Sequence, residues 1–459
     1  MSRATVVDAG GSRIGTRAPA KRLGVSWPAL VPAAAVPVLF LHLRYQPKAG
    51  IGLRSTTIGI ELSDVAVLAI VLTAAVAGSR NGWGPLRATR RLWLAAAVFL
   101  GVVLAATVYP LLRYEQYPFL AHAVTAAKFC EYALLAPALV LLLRRRDDAL
   151  PLLWSVAVWS AAASVWGLLQ FAGLVDEFEG KRPLQREPSF LGIHDLAALS
   201  GAALLIGLAV PALGARSRRE RALAWTSGVA GAIGLALSAS AAGAVGVVLA
   251  AAVLLALTRP PWPSTAAIVA VVAIGSLGAF GVRSGEVERG IRAVGIGSKP
   301  KASYDAASYV HRSLLAYIGL RMFADHPVVG VGWQGSDDLA SYRPYLAAAH
   351  RRFPAEPERA FPSPAHAWGV QNAYLQTLTD LGIVGFAALA ALFATAVTLG
   401  ARAARRTRPL VPPSIVGLLW LFVAAGVWNG LGLVAGIPLD ALTWFAVGLI
   451  GAAAAWTAT

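Results

Sequence analysis

Residues 222–258 read ALAWTSGVAGAIGLALSASAAGAVGVVLAAAVLLALT, and this stretch decides the class of the chain. It holds 37 residues without a charge, between Arg221 and Arg259. About 20 apolar residues span a bilayer as a helix, so the run is long enough for two short spans. The small residues 238–243 (SASAAG) predict a turn between them. A soluble core could not hide so many helices that are apolar on every side. The stretch therefore predicts an integral membrane protein.

The rest of the chain repeats this pattern. Of 459 residues, 57% are hydrophobic and 14% are charged, whereas a soluble domain has about 25% charged residues. We therefore expect an all-α, polytopic membrane protein with about 12 transmembrane helices. The candidate spans are residues 28–43, 63–78, 92–110, 120–143, 149–174, 193–213, 222–239, 242–257, 264–282, 381–400, 412–428 and 440–457.

Loop charges predict the orientation, because Lys and Arg collect on the cytoplasmic side of a membrane. One alternating set of loops holds 21 basic residues and the short loops of the other set hold seven. This places both termini in the cytoplasm. The predicted organisation is a disordered cytoplasmic tail (1–27), transmembrane helices 1–9 (28–282), one large extracytoplasmic loop (283–380) and transmembrane helices 10–12 (381–459).

Charge and cysteine usage narrow the function. The net charge of +17 would suggest nucleic acid in a soluble protein, but these basic residues lie mostly in short loops between apolar spans. Cys130 is the single cysteine and lies within a predicted span, which excludes disulfides and cysteine metal sites. The first 26 residues carry no cleavage motif, so we interpret them as a tail and not as a signal peptide.

The predicted outer loop contains helices of its own. Residues 308–324 place Leu314, Ile318 and Met322 on one apolar helical face. Pro327 predicts that this helix ends nearby, and residues 328–335 (VVGVGWQG) form a glycine-rich turn. Asn372 is a candidate cap for a helix that leads into the next span. A loop of this length with internal helices is usually functional.

Three arginines of the outer segments are candidate anion ligands: Arg186, Arg312 and Arg321. A planar guanidinium binds two oxygens of a phosphate or diphosphate at once. The alternative is that these side chains snorkel or bind lipid headgroups. Arg312 and Arg321 are nine residues apart on one predicted helix, so they point to different faces.

Four histidines are candidate general bases, because imidazole titrates nearest neutrality. His326 precedes a proline, which favours a role in closing the helix. His194 adjoins Asp195, and either a His–Asp pair or simple hydration fits. His311 and His366 complete the set, and His366 lies in SPAHAW (363–368), close to the capped helix. For each of these histidines, the alternative to catalysis is a purely structural role.

Other charged residues argue against transport and against a metal. Lys128 and Glu131 lie three residues apart inside a span, and either a functional pair or mutual neutralisation fits. The spans are otherwise nearly bare of charge, which weakens an ion-coupled transporter. No Asp-x-Asp appears in the outer loops, and this favours a mechanism without a metal ion.

Two blocks resemble a known family. Residues 321–332 (RMFADHPVVGVG) and 371–385 (QNAYLQTLTDLGIVG) look like paired motifs of the O-antigen ligase and Wzy-type polymerase family. The resemblance implies a helical fold like that of the GT-C glycosyltransferases, in the bacterial cytoplasmic (inner) membrane. It also implies metal-independent, inverting transfer of a glycan from undecaprenyl diphosphate to a glycan or lipid-linked acceptor, with no cofactor and no nucleic-acid partner.

The resemblance also implies roles for individual residues. Arg186 and Arg312 match family arginines that hold the diphosphate, and Arg321 is a third candidate. Gln371, Asn372 and Tyr374 would shape the sugar site. Two positions depart from the family pattern: Gln371 stands where a histidine is usual, and an arginine is missing near Ser240. We therefore expect His366 to act as the base. The alternative is a non-catalytic member that transports lipid-linked glycans or serves as an assembly scaffold.

Overall fold

The computed structural model describes residues 25–53, 56–113, 117–176, 186–214, 217–282, 307–406, 413–434 and 436–458. Most of the predicted tail (1–27) and the beginning of the predicted outer loop (283–306) lie outside the described residues. In chain order the helices are α1 (Leu30–Leu39), α2 (Leu62–Asn81), α3 (Gly84–Ala88), α4 (Arg90–Val108), α5 (Phe119–Ala133), α6 (Leu135–Leu142), α7 (Leu150–Phe171), α8 (Ile193–Ala212), α9 (Arg218–Ser238), α10 (Ala241–Thr258), α11 (Trp262–Val282), α12 (Ala307–Asp325), α13 (Leu339–Arg352), α14 (Ala373–Arg406), α15 (Pro413–Val427) and α16 (Ile437–Ala458).

The predicted spans coincide with helical structure. Within the described part of the chain, nine helical stretches are long and apolar enough to cross a membrane. Trp27–Leu39 and Trp262–Leu277 are shorter apolar helices, and α9 begins with a charged turn at Arg218. The predicted turn at residues 238–243 is confirmed: Ala239 is left-handed and Ser240 Oγ accepts the Gly243 N–H at 3.2 Å. The all-α polytopic fold is confirmed.

Three helices form the centre of the bundle. The most apolar windows of α8, α15 and α16 are 83, 89 and 94% buried, against 33% for α2 and for α4. Glycines let these helices approach closely, as small residues do in membrane bundles. A Cβ on Gly231 of α9 would lie 2.3 Å from Leu204 N of α8, and one on Gly426 of α15 would lie 2.2 Å from Gly246 Cα of α10.

A β-hairpin between α1 and α2 departs from the all-α expectation. Strand β1 (Lys48–Leu53) pairs antiparallel with β2 (Thr56–Glu61), with Lys48 opposite Glu61. Three glycines lie within residues 48–61 and weaken the strand pattern, so the sequence alone does not predict this hairpin. The hairpin leads directly into α2, whose first turn is capped by Glu61 and Asp64 together.

Asp64 also forms the ion pair of Lys128, one of the charged residues within α5. Lys128 Nζ lies 2.9 Å from Asp64 Oδ2 and 4.0 Å from Glu61 Oε2. The ion pair of Lys128 therefore joins α5 to the beginning of α2. The closest carboxylate of Lys128 thus belongs to Asp64 and not to Glu131 of the same helix.

Helices α12 and α13 pack on each other in a small cluster of their own. Leu314, Ile318 and Met322 of α12 are buried there with Tyr342 of α13, which confirms the predicted apolar face. Helix α12 ends at Asp325, as the following proline predicts.

The two motif blocks pack directly against each other. The Val331 N–H donates to Thr379 O at 2.9 Å and the Gly332 N–H donates to Asp380 O at 2.9 Å. A Cβ on Gly330 would lie 2.3 Å from the Asp380 carbonyl carbon, and one on Gly382 would lie 2.2 Å from Val328 O. The glycines of both motifs thus serve a backbone-to-backbone contact that fixes the N-terminal part of α14.

Candidate functional site

Asn372 joins the beginning of α14 to the loop between α15 and α16. Its Oδ1 accepts the Leu375 N–H at 3.0 Å, so the predicted cap is confirmed. Its Nδ2 donates to Asn429 Oδ1 at 2.8 Å and to Asn429 O at 3.3 Å. Tyr374 lies one residue into the helix, and its hydroxyl donates to Ala425 O at 2.7 Å. Gln371, just before the cap, is half-buried.

Three more segments meet beside this point. The Glu187 N–H donates to Leu237 O at 2.9 Å, which holds the half-buried Arg186 next to the turn between α9 and α10. A Cβ on Gly430 would lie 3.2 Å from Ala242 Cβ of that turn and 3.2 Å from His194 Cε1 of α8. The loop that carries Asn429 and Gly430 therefore connects the Arg186 segment to the Asn372 segment.

His366 is exposed but its backbone is held in place. The His366 N–H donates to Ser363 O at 3.0 Å, and the Ser363 N–H donates back to His366 O at 3.0 Å. The imidazole stacks on the Trp368 indole, with ring centroids 5.8 Å apart and planes at 17°. His311 of α12 meets the same indole edge-on at 5.2 Å. Burial lowers the pKa of His311, which favours its neutral form.

Arg312 and Arg321 have different surroundings on α12. Arg312 is half-buried next to His311, at the end of the helix that reaches Trp368. Arg321 is exposed, and its guanidinium lies over the Tyr317 ring at 5.3 Å and donates to the Tyr317 hydroxyl at 3.1 Å. The prediction that the two guanidinium groups point to different faces agrees with this difference in exposure.

His326 closes the end of α12. Its N–H donates to Met322 O at 2.9 Å, and its carbonyl accepts the Gly330 N–H at 3.1 Å. These backbone bonds fit the structural interpretation of His326, because they link the helix end to the glycine-rich turn.

The carboxylates of Asp380 and Asp337 lie next to the segment that carries His366. Asp380 Oδ1 accepts the Ser336 N–H at 3.0 Å. A Cβ on Gly369 would lie 1.8 Å from Asp337 Oδ1, so only glycine leaves room for this carboxylate against the 368–370 backbone. Burial, followed by the charge of Asp338, raises the pKa of Asp337 from 3.8 to about 6. The turn at 335–338 therefore supports the His366 segment from behind.

Sequence reasoning missed several of these contacts. Asn429 and the pair of His122 with Asp338 were not among the candidates, although a lone asparagine between two apolar spans is a usable signal. Within the described ranges, no group of three or more His, Cys, Asp or Glu side chains is arranged to hold a metal ion. Metal independence stays a prediction.

The sequence model of O-antigen ligase (Wzy_C) matches residues 222–390. The match covers 169 of the 459 residues, so this segment is similar to the O-antigen ligase family. The match spans α9 to the middle of α14 and contains both motif blocks, so the resemblance seen in the sequence is confirmed. No curated protein matches the chain.

The O-antigen ligase segment contains most of the candidate site. Arg312, Arg321, His366, Asn372 and Tyr374 lie inside the match, with Gln371, whereas Arg186 precedes it. The family and the apolar helices together make the chain a multi-pass bacterial membrane protein. The family match suggests a glycosyltransferase-like activity on surface polysaccharides, as ligase or polymerase.

Proposed function

We propose that this protein transfers a glycan from an undecaprenyl-diphosphate carrier to a glycan or lipid-linked acceptor, at the outer face of the cytoplasmic membrane. One observation carries the proposal. The segment of Arg186, the α9–α10 turn, the Asn429 loop and the Asn372 cap meet at one end of the bundle. The segments that carry Arg186 and Asn372 thus meet where apolar helices end, and this supports the proposal.

Arg186 and Arg312 bind the diphosphate in this proposal. Negative charge develops on the leaving diphosphate as the glycosidic bond breaks, and preorganised cations stabilise that charge in the transition state. Guanidinium groups suit this role because they bind two phosphate oxygens at once. Arg321 is a third, more peripheral ligand, since its guanidinium lies on Tyr317.

His366 is the proposed base that takes the proton of the acceptor hydroxyl. Its exposure gives an acceptor access, and the Ser363 bridge with the Trp368 stack limits its motion. Gln371, which stands at the usual histidine position, has no basic nitrogen, so it would shape the sugar site with Asn372 and Tyr374. The inverting, metal-independent mechanism implied by the family needs only this base and the arginines.

An apolar groove beneath the site supports a lipid carrier. It lies between α14 and α15, has a volume of about 320 Å³, and is lined by aromatic and aliphatic side chains that include Tyr374, Phe386, Phe393, Phe422 and Trp428. Tyr374 belongs both to this groove and to the Asn372 segment. A polyprenyl chain in the groove would leave its diphosphate close to the polar end of the bundle.

The experiment is deletion of the gene and complementation with variants, followed by measurement of surface-glycan length and of accumulated polyprenyl-linked intermediates. The wild type should restore the glycan and clear the intermediates. The variants Arg186→Ala, Arg312→Ala and His366→Ala should fail at normal protein levels. His311→Ala and His194→Ala are matched controls for the base.

The results separate the alternatives. Undiminished transfer by His366→Ala would exclude His366 as the base, and a selective loss in one of the other histidine variants would reassign the role. A deletion strain with unchanged glycan length and no accumulated carrier would refute the transferase. If all arginine and histidine variants complement fully while the deletion has a defect, the scaffold or transporter alternative would be supported instead.

A further inference from the structure

A polar cavity adjoins the 335–338 turn. Its volume is about 340 Å³, within the range of small-molecule pockets. Its walls come from the segment before α5, the glycine-rich turn and the first turns of α13. The lining residues are Tyr117, Pro118, Val331, Asp338, Leu339, Ala340, Ser341 and Arg343.

Asp338 lines this cavity and does not cap the helix that follows it. It occupies the residue before α13, where an aspartate usually accepts a backbone N–H of the first helical turn, yet its side chain makes no such cap. Its carboxylate lies instead 3.0 and 3.2 Å from His122 Nε2. The His122 ring stacks on Tyr117, with centroids 4.9 Å apart and planes at 13°. The three side chains therefore hold one another in place at the wall.

The chemistry of the lining is mixed. Asp338 supplies hydrogen-bond acceptors, Arg343 supplies donors, Ser341 supplies a hydroxyl, and Tyr117 supplies aromatic surface. The His122 ring covers one face of Tyr117, so the cavity is offered its other face or its edge. An inorganic anion would be repelled by Asp338, and an apolar ligand would leave these polar groups without partners. A ring with several neutral hydroxyls and apolar C–H surface matches all four side chains.

We propose that this cavity is a sugar subsite, which binds a neutral hexose unit of the glycan outside the transfer site. The inference rests on the proposed function for the identity of the ligand. Asp337 lies against the backbone of Gly369, and Asp338 faces the cavity, so one short turn separates the subsite from the His366 segment. A glycan chain at the transfer site could place a further sugar unit here.

The test measures binding and not transfer. The full-length protein in detergent is titrated with neutral oligosaccharides, obtained by hydrolysis of the surface polysaccharide of the source strain, without any lipid-linked donor. Asp338→Asn should weaken binding roughly tenfold or more, because a hydrogen bond to a charged group is lost. Tyr117→Ala should weaken it by about three- to tenfold, whereas Tyr117→Phe should retain most of the affinity.

Arg352→Ala is the matched control, since Arg352 is exposed at the far end of the same helix. Thermal unfolding of each variant checks the fold. If Asp338→Asn unfolds, Ser341→Val and Arg343→Gln take its place, and at least one must weaken binding. Equal affinity in all cavity variants would overturn the subsite. Stronger binding of glucuronate or inorganic phosphate than of neutral oligosaccharides would overturn the assignment to a neutral sugar.

The outcome is distinguishable from that of the proposed function. Oligosaccharide binding that depends on Asp338, in a protein without transfer activity, would keep the subsite and refute the transferase. Normal complementation by Asp338→Asn together with unchanged binding would keep the transferase and refute the subsite.

Discussion

Replacement of Gly382 by alanine should destabilise the protein strongly. Gly382 has φ 64° and ψ −166° within α14, a conformation that is essentially restricted to glycine. An alanine there costs on the order of 1–3 kcal/mol in backbone strain. Its Cβ would also lie 2.2 Å from Val328 O and 2.3 Å from Val328 C, a contact with backbone that cannot rotate away. Such overpacking costs typically 1–3 kcal/mol more, so we expect a loss of about 2–6 kcal/mol in the free energy of unfolding.

The assay is equilibrium unfolding in mixed detergent, followed by tryptophan fluorescence. Gly101→Ala is the matched control, because Gly101 lies in α4 and an added Cβ meets nothing within 4 Å. That control should be neutral or stabilised by up to about 1 kcal/mol. If Gly382→Ala stays within about 0.5 kcal/mol of the wild type, the packing of the two motif blocks described above is incorrect.

Three further predictions concern charge. Arg186→Lys and Arg312→Lys keep the charge but lose the planar fork of the guanidinium. Glycan transfer in the complemented strain should therefore fall by about tenfold or more at unchanged protein levels. Full activity would exclude bidentate binding. Asp337→Asn should stabilise the protein by about 3 kcal/mol at pH 7.5 and by little at pH 4. The pKa of Asp337 is raised from 3.8 to about 6, and the cost of ionising the folded protein grows by about 1.36 kcal/mol for each pH unit between these two values. Equal effects of the substitution on unfolding at both pH values would contradict this. Lys128→Met should destabilise the protein by about 1–3 kcal/mol, because the Asp64 carboxylate loses its cation and keeps only the Glu61 N–H. Adding Asp64→Asn should recover part of the loss, and strict additivity would refute the pairing.

Features that depend on neighbouring residues could be predicted from the sequence. Uncharged runs gave the spans, and the small residues before Gly243 gave the turn between α9 and α10. Pro327 marked the end of α12 to within two residues, and Asn372 caps α14 as expected. In each case the signal and the structure that it causes lie within a few residues of each other.

Contacts between distant residues could not be predicted in the same way. Lys128 and Asp64 are 64 residues apart, Asn372 and Asn429 are 57 apart, and His122 and Asp338 are 216 apart. Which helix faces which depends on packing over the whole bundle, and no local pattern encodes it. Glu131, three residues from Lys128, was the obvious local partner, and the ion pair lies elsewhere. The grouping of His311 and His366 on Trp368 was hidden for the same reason.

The central position of α15 and α16 has a consequence for biogenesis. These two helices leave the ribosome after every other described helix, and synthesis proceeds from the N-terminus at about 5–20 residues per second. Until they are inserted, α6 lacks its contact with α16. In the folded protein that contact is close, since a Cβ on Gly448 would lie 2.9 Å from Ala136 O. The earlier helices therefore lack their contacts with the late pair until those two helices are inserted.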